Sequence, residues 1–315
     1  MSSSHHQHSL SPLPKPVHAA LSDSLLTTLS ESWEILFKCL HTPLHEISSL
    51  YHHWSATCEL ACTPLLTSSQ KVLTPASTTA PHTLNEVQDR IFQNSPHAVA
   101  IALDTKIAVP TLAAAHFLHV ASQDRRERLE IYEKLGGAVA GAKTQRITEI
   151  ERAQVMEDLR LAVYAAFLAA WIQAIGAMKP GEEKLVEGWR DTMAWSEHVA
   201  ELVGGHRGGT NVMADERVAK EIQRVYPHLK RTVERAVRWD AHIPTLSASL
   251  EYLKYAGAKQ LPTQFVTAMM DYWEGQGFEL KNPKDARRGS HSHHYDWEKL
   301  DKASRIELED VQARM

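Results

Sequence analysis

The chain has 315 residues, enough for one large domain or two small ones with a sizeable core. With 34 Lys and Arg against 38 Asp and Glu, the formal charge is −4, which excludes a strongly basic nucleic-acid binder. Apolar residues at 43% and charged residues at 23% exclude a chain too polar to bury a core. Three cysteines, Cys39, Cys58 and Cys62, are odd in number and cluster early, so they build no disulfide framework and fit a reducing, cytoplasmic setting. The first ten residues lack the apolar stretch of a secretory signal.

The glycines exclude more. None of the 14 occurs before Gly136. A dinucleotide or P-loop site needs glycine where backbone approaches phosphate at a strand-to-helix turn. Residues 1–135 cannot supply that loop in its usual form. The later clusters, Gly136-Gly137 and Gly204-Gly205-His206-Arg207-Gly208-Gly209, follow no β-branched run and read as loops or helix breaks. No cofactor is expected on this chain.

In chain order, residues 1–14 are Pro/Ser/His-rich and read as a flexible arm. Helical periodicity starts at Leu21 and runs through Leu25, Leu29, Trp33, Leu36 and Leu40. Pro43 opens a second helix with Ile47, Leu50, Tyr51 and Trp54 on its stripe. Residues 63–82 carry three prolines among Ser and Thr and read as a linker. Short helices are expected at about 83–93 and 96–107, then one from Pro110 to about Leu135. Residues 144–178 read as one long helix. Its span Leu161–Met178 holds no charge, yet Ala-rich composition and Gln173 favour a buried core helix over a membrane crossing. Further helices are expected over 182–203 and 215–239 and after Pro244 and Pro262. No alternating strand run of five residues occurs, so the fold class is all-α. Residues 15–280 form the helical body, and 281–315 form a polar tail.

Specific residues then carry a resemblance. Ile243-Pro244-Thr245-Leu246-Ser247-Ala248-Ser249-Leu250, Leu261-Pro262, Asp271-Tyr272-Trp273 and Phe278-Glu279 resemble the C-terminal domain of 6-phosphogluconate dehydrogenase. Val109-Pro110-Thr111-Leu112, Glu157-Asp158-Leu159-Arg160 and His293-His294-Tyr295-Asp296-Trp297 follow in the same order as that family's pattern. The resemblance covers roughly 15–297. It implies a helical domain with a long central helix, an intertwined homodimer, a tail that reaches the partner's site, and an NADP-binding domain that the glycine pattern here does not supply.

The resemblance also marks departures. The family's catalytic Lys and His fall on Lys15 and His18, but its Asn, Glu and Tyr fall on Ala19, Ser22 and Asp23. A substrate-binding Arg becomes His119, and a phosphate-binding Arg and His become Met270 and Gln276. A phosphosugar dianion needs charge-assisted donors, which Met270 and Gln276 do not provide. The candidate acid–base residues are therefore His18, Lys15 and His119. The candidate ligand-lining residues are Met270, Tyr272, Trp273, Gln276, His293, His294 and Trp297, forming a mostly apolar pocket with α-helical walls. His116 shares a helix face with His119. The adjacent histidines His52, His53, His293 and His294 lack the spacing of converging metal ligands, so no metal is assigned. Cys58 and Cys62 read as apolar thiols on one helix face.

Two functional readings follow from the lost anion contacts. One is a cofactor-independent isomerase, cyclase or lyase, as in a natural-product pathway, working on a small molecule in a homodimer. The other is a non-catalytic ligand-binding or interaction homologue. A third is a 6-phosphogluconate dehydrogenase piece that works with a separate NADP domain. Neither nucleic acid nor membrane is an expected partner.

Overall fold

The computed structural model describes residues 15–74, 82–91, 97–139, 141–178, 188–204, 211–280 and 293–297. Among these residues there are eleven α-helices and no strand, as the periodicity predicts. They divide into two compact units, residues 1–254 and 255–315.

Helix α1 (Lys15–Glu34) begins six residues ahead of the Leu21 stripe and passes into a π-turn, Ile35–Cys39. Lys15 and His18 thus both lie on α1. The periodicity showed Leu21, Leu25 and Leu29, which are buried, but α1 also buries Ser22, Ser24, Thr27, Thr28, Glu31, Ser32 and Glu34. α2 (Leu44–Ala56) follows. α3 (Pro64–Leu73) replaces the expected linker. Pro64 stands in its first turn, where the missing N–H has no helical partner to lose, and Leu65, Leu66 and Leu73 are buried.

Around 83–93 there is only a 3₁₀ turn, Thr83–Asn85, and α4 (His97–Thr105) comes next. The helix expected from Pro110 to Leu135 is two: α5 (Pro110–Gln123) and α6 (Arg125–Lys134). Asp124 separates them and caps α6, its Oδ1 accepting the Glu127 N–H at 2.9 Å. α7 (Glu149–Gly176) starts five residues later than the pattern suggested, at a capping box between Thr148 and Glu151. Residues 141–148 run instead as an extended strap. The Lys143 N–H donates to the Trp239 carbonyl at 2.8 Å and the Gln145 N–H to the Cys39 carbonyl at 2.7 Å. At the start of the strap Gly141 has φ of +79°, and a Cβ there would meet His242 Cε1 at 2.9 Å, so glycine is required twice over.

α8 (Glu197–Val203) is much shorter than the expected 182–203 helix; residues 188–196 are turns, and 179–187 lie outside the described residues. α9 (Glu216–Arg238), α10 (Pro244–Ala256) and α11 (Thr263–Glu274) lie where periodicity and proline placed them.

α7 is the axis of the first unit. Every residue from Asp158 to Ala174 is buried. Its apolar window is long enough to cross a membrane, but 89% of that window is buried inside the molecule. Within the chain, α1, α5 and α9 pack on it. One end is pinned by charge. Asp158 is fully buried, and it accepts Arg231 Nη2 at 2.6 Å, Arg235 Nη1 at 2.5 Å and His228 Nδ1 at 2.8 Å. Burial opposes its ionisation, but the bonds from Arg231, Arg235 and His228 outweigh that and hold its pKa low.

Glu31 and Glu34 of α1 hold the start of α10. Glu31 accepts the Thr245 N–H and hydroxyl, both at 2.7 Å, and the Leu246 N–H at 3.0 Å, groups that the first helical turn leaves without backbone partners. Glu34 accepts the His242 N–H at 2.7 Å and Lys38 Nζ at 2.7 Å. Burial pushes Glu31 up to about 8, with Glu34 adding repulsion. Glu34 is down at about 2, because His242 and Lys38 outweigh its burial.

A raised folded pKa means that the folded state holds its proton longer. The stability Glu31 contributes is present below its ordinary 4.5 and is lost as pH rises through about 8. We therefore expect the melting temperature of the wild type to fall over that window relative to Glu31→Gln, a neutral mimic that keeps an acceptor for the α10 amides. Parallel melting curves for the two proteins from pH 5 to 9 would show the idea to be wrong.

Candidate functional site

His18 projects from the first turns of α1 and is half-buried. Its Nε2 lies 2.9 Å from Thr192 Oγ1, and its ring sits 5.5 Å from that of Trp189. Thr192 Oγ1 also donates to the Trp189 carbonyl at 2.8 Å. The floor beneath is aromatic: Trp189 and Trp195 both meet Trp171 edge-on, at 5.4 and 6.1 Å. Burial lowers the His18 pKa from its ordinary 6.5, so the ring is neutral and able to accept a proton near neutral pH. No described residue bonds its Nδ1.

Helical register sorts the neighbours. Lys15 and Ser22 stand three residues before and four after His18, on the same face of α1. The Lys15 side chain lies outside the described set. Ser22 Oγ and Trp189 Nε1 are buried and have no hydrogen-bond partner among the described residues.

His119 is placed differently. It belongs to α5, is 4% exposed, and its Nε2 meets Thr27 Oγ1 at 3.0 Å. Its Nδ1 is buried and unpartnered among the described residues. Burial lowers its pKa, against a smaller upward pull from Asp23. Thr27 is nine residues after His18, about 180° around α1 and about 13 Å along it. His18 and His119 therefore approach opposite faces of α1 and do not form one acid–base pair. Buried against Thr27, His119 is closed to the acid–base role expected of it.

The remaining candidates belong to the second unit. Met270, Tyr272 and Trp273 lie on α11 and are exposed, Trp273 at 74%. Gln276 is exposed beyond the helix end and bonds Glu274. They do not line an enclosed apolar pocket within this unit. The centre of the unit is Asp271, which sequence reading used only as a landmark. Its Oδ1 accepts the Gly277 N–H at 3.0 Å and His294 Nδ1 at 2.8 Å. Its Oδ2 accepts the Tyr295 N–H at 3.0 Å and Trp297 Nε1 at 2.9 Å. The Tyr295 amide is the foremost cause of its lowered pKa, ahead of the opposing burial. His293 pairs with Phe278 through two backbone bonds, at 2.8 and 2.9 Å. Residues 293–297 thus return to α11 of their own chain; the tail residues on either side lie outside the described residues. Tyr295, Trp297 and Tyr272 form an aromatic group, with the Tyr272 and Trp297 rings perpendicular at 5.7 Å.

Two smaller expectations are corrected. Cys62 is exposed and left-handed at φ of 54°, following a 3₁₀ turn that starts at Cys58, so the two do not share a helix face. His52 bonds Gln70. Among the described residues no three His, Cys, Asp or Glu side chains converge as metal ligands.

The family model described as "6-phosphogluconate dehydrogenase, C-terminal domain" matches residues 14–297, and the chain belongs to that family. It is 31% identical to 6-phosphogluconate dehydrogenase, decarboxylating, of Emericella nidulans over 90% of this chain and 64% of that protein. The identity is 22% with a counterpart from Oryza sativa, over 93% of this chain and 62% of that one. A solved Plasmodium falciparum 6-phosphogluconate dehydrogenase superimposes with a TM-score of 0.77 at 18% identity, covering 90% of this chain and 62% of its own. The chain thus spans a little under two thirds of these relatives.

The Asp271 arrangement makes a direct expectation. In Asp271→Ala, the Tyr295 amide and the Trp297 indole N–H should lose their protection from hydrogen exchange while α7 amides keep theirs. Equal protection of Tyr295 in both proteins would show that another contact holds residues 293–297.

Proposed function

We propose that this chain is the acid–base half of a 6-phosphogluconate dehydrogenase-type site, with His18 holding and moving the proton at Nδ1. The observation that carries this reading is the fixed, neutral His18 ring between Thr192 and Trp189, with Nδ1 bonded by no described residue. The relatives are decarboxylating dehydrogenases, which favours this reading over cofactor-independent isomerisation, cyclisation or elimination. NADP does not fit the described residues: they contain no strand, and no glycine precedes Gly136 to cradle a pyrophosphate. Hydride transfer would come from a nucleotide-binding domain outside this chain. The ligand is a small polyol or keto acid. Met270 and Gln276 stand where the family resemblance expects cationic contacts, so a phosphate adds little to its binding.

A specific observation favours a second reading, a ligand-binding homologue without catalysis. His119, at a position the resemblance assigns to substrate, is sealed against Thr27.

One experiment separates the two. The acid–base reading expects solvent deuterium to enter the carbon beside the carbonyl of a ketopentose, followed by NMR without NADP. His18→Ala should slow that exchange by about 10²–10⁴-fold. No exchange above the buffer rate would leave the binding reading. By calorimetry, gluconate and 6-phosphogluconate should bind within about tenfold of each other, a difference of about 1.4 kcal/mol.

We also infer a homodimer. Phe265, Val266 and Trp273 leave α11 with an apolar face that is more than half exposed at each position. Light scattering should give a dimer mass at micromolar concentration, and a stable monomer would contradict the inference.

A further inference from the structure

We propose that Thr192 is the positioning residue that fixes which nitrogen of His18 works as the base; its consequence for turnover rests on the acid–base reading above. Thr192 lies in the turn that follows Trp189, 174 residues from His18 in sequence. Its hydroxyl has one proton and two neighbours, the Trp189 carbonyl at 2.8 Å and His18 Nε2 at 2.9 Å.

The proton count decides between the tautomers. If Nε2 carries the ring proton, it donates to Thr192 Oγ1, and the hydroxyl proton is free to go to the Trp189 carbonyl, so two bonds form. If Nδ1 carries it, the hydroxyl must turn to serve Nε2 and gives up the carbonyl, so one bond forms. A buried bond is worth about 1 kcal/mol, enough to favour the first arrangement several-fold. Nε2–H is therefore the resident form, and Nδ1 is the basic nitrogen. The same turn fixes the ring plane, because Trp189 supplies both the carbonyl that orients Thr192 and the indole 5.5 Å from the imidazole.

α1 offers an internal comparison. Thr27 Oγ1 donates to the Asp23 carbonyl at 2.7 Å and meets His119 Nε2 at 3.0 Å. The geometry is the same, yet that histidine is 4% exposed whereas His18 is open enough to work. A threonine whose hydroxyl is committed to a backbone carbonyl thus sets the tautomer of both rings.

The test uses the whole chain and reads the ring itself. Long-range ¹H–¹⁵N NMR on the wild type should show His18 with Nε2 protonated and Nδ1 bare. Thr192→Val, which removes the acceptor but keeps the shape, should lower the His18 pKa by at least half a unit, since Oγ1 stabilises the protonated ring most. Thr192→Ser should restore it. Ketopentose exchange should fall about tenfold in Thr192→Val and recover in Thr192→Ser, with a shifted pH profile. A protonated Nδ1 in the wild type, or a His18 pKa unmoved in Thr192→Val with the fold intact by circular dichroism, would overturn the role of Thr192. A tautomer and pKa as expected, with no exchange in any variant, would instead overturn the acid–base reading and leave the positioning role standing.

Discussion

One side chain in the apolar centre of α7 decides how this core can close. Gln173 is fully buried on a helix lined by Ala, Leu and Trp. Its Oε1 accepts the Thr111 N–H at 2.9 Å, and its Nε2 donates to Thr111 Oγ1 at 2.8 Å. The start of α5 is thereby satisfied by a side chain of α7, where a bare buried N–H would cost about 1–3 kcal/mol. The Thr111 hydroxyl continues to Ser249 at 3.0 Å, and Ser249 donates to the Thr245 carbonyl at 2.7 Å. Thr245 meets Thr28 at 2.8 Å and Glu31 at 2.7 Å. A polar seam thus links α7, α5, α10 and α1 through an otherwise mostly apolar interior. Helix ends that would normally face water can point inward because each finds a partner along it. Such a seam also fixes register, since a slip of one residue on any helix would orphan several groups at once.

The site inherits its geometry from this arrangement. α1 is held along its polar side by α5 and α10, which fixes its rotation and so the direction in which His18 points. The turn carrying Thr192 and Trp189 reaches His18 from elsewhere in the chain and rests on Trp171, again part of α7. The acid–base group and its support are therefore both referred to one buried helix, which is how a site keeps its precision on a helical scaffold.

The sequence showed the helices that an apolar stripe or a proline announces: α2, α7, α9, α10 and α11. It hid α3 behind Pro, Ser and Thr, because composition there reads as a loop while Leu65 and Leu66 do the packing. It merged α5 and α6 into one helix, since Asp124 is an N-cap only once both flanking helices are known. Thr27, Thr28 and Glu31 were invisible as core because polar residues are expected outside, and partners more than 90 residues away make them tolerable. His18 could be found through resemblance. Thr192 could not, because no local signal ties a turn threonine to a histidine so far away. His119 misled for the same reason: its spacing from His116 says which face it shares, but not that the face is sealed by Thr27.

The seam has a consequence for how the chain is made. Glu31 finds its amides 214 residues later, at Thr245, and Thr28 finds Thr245 at a separation of 217. At about 5–20 residues per second, synthesis takes on the order of 10–40 s to bring them together. Through that interval α1 has emerged with a buried carboxylate and a row of hydroxyls that have nothing to bind. Helix α1 therefore completes its contacts long after its own synthesis, only once α10 has been made.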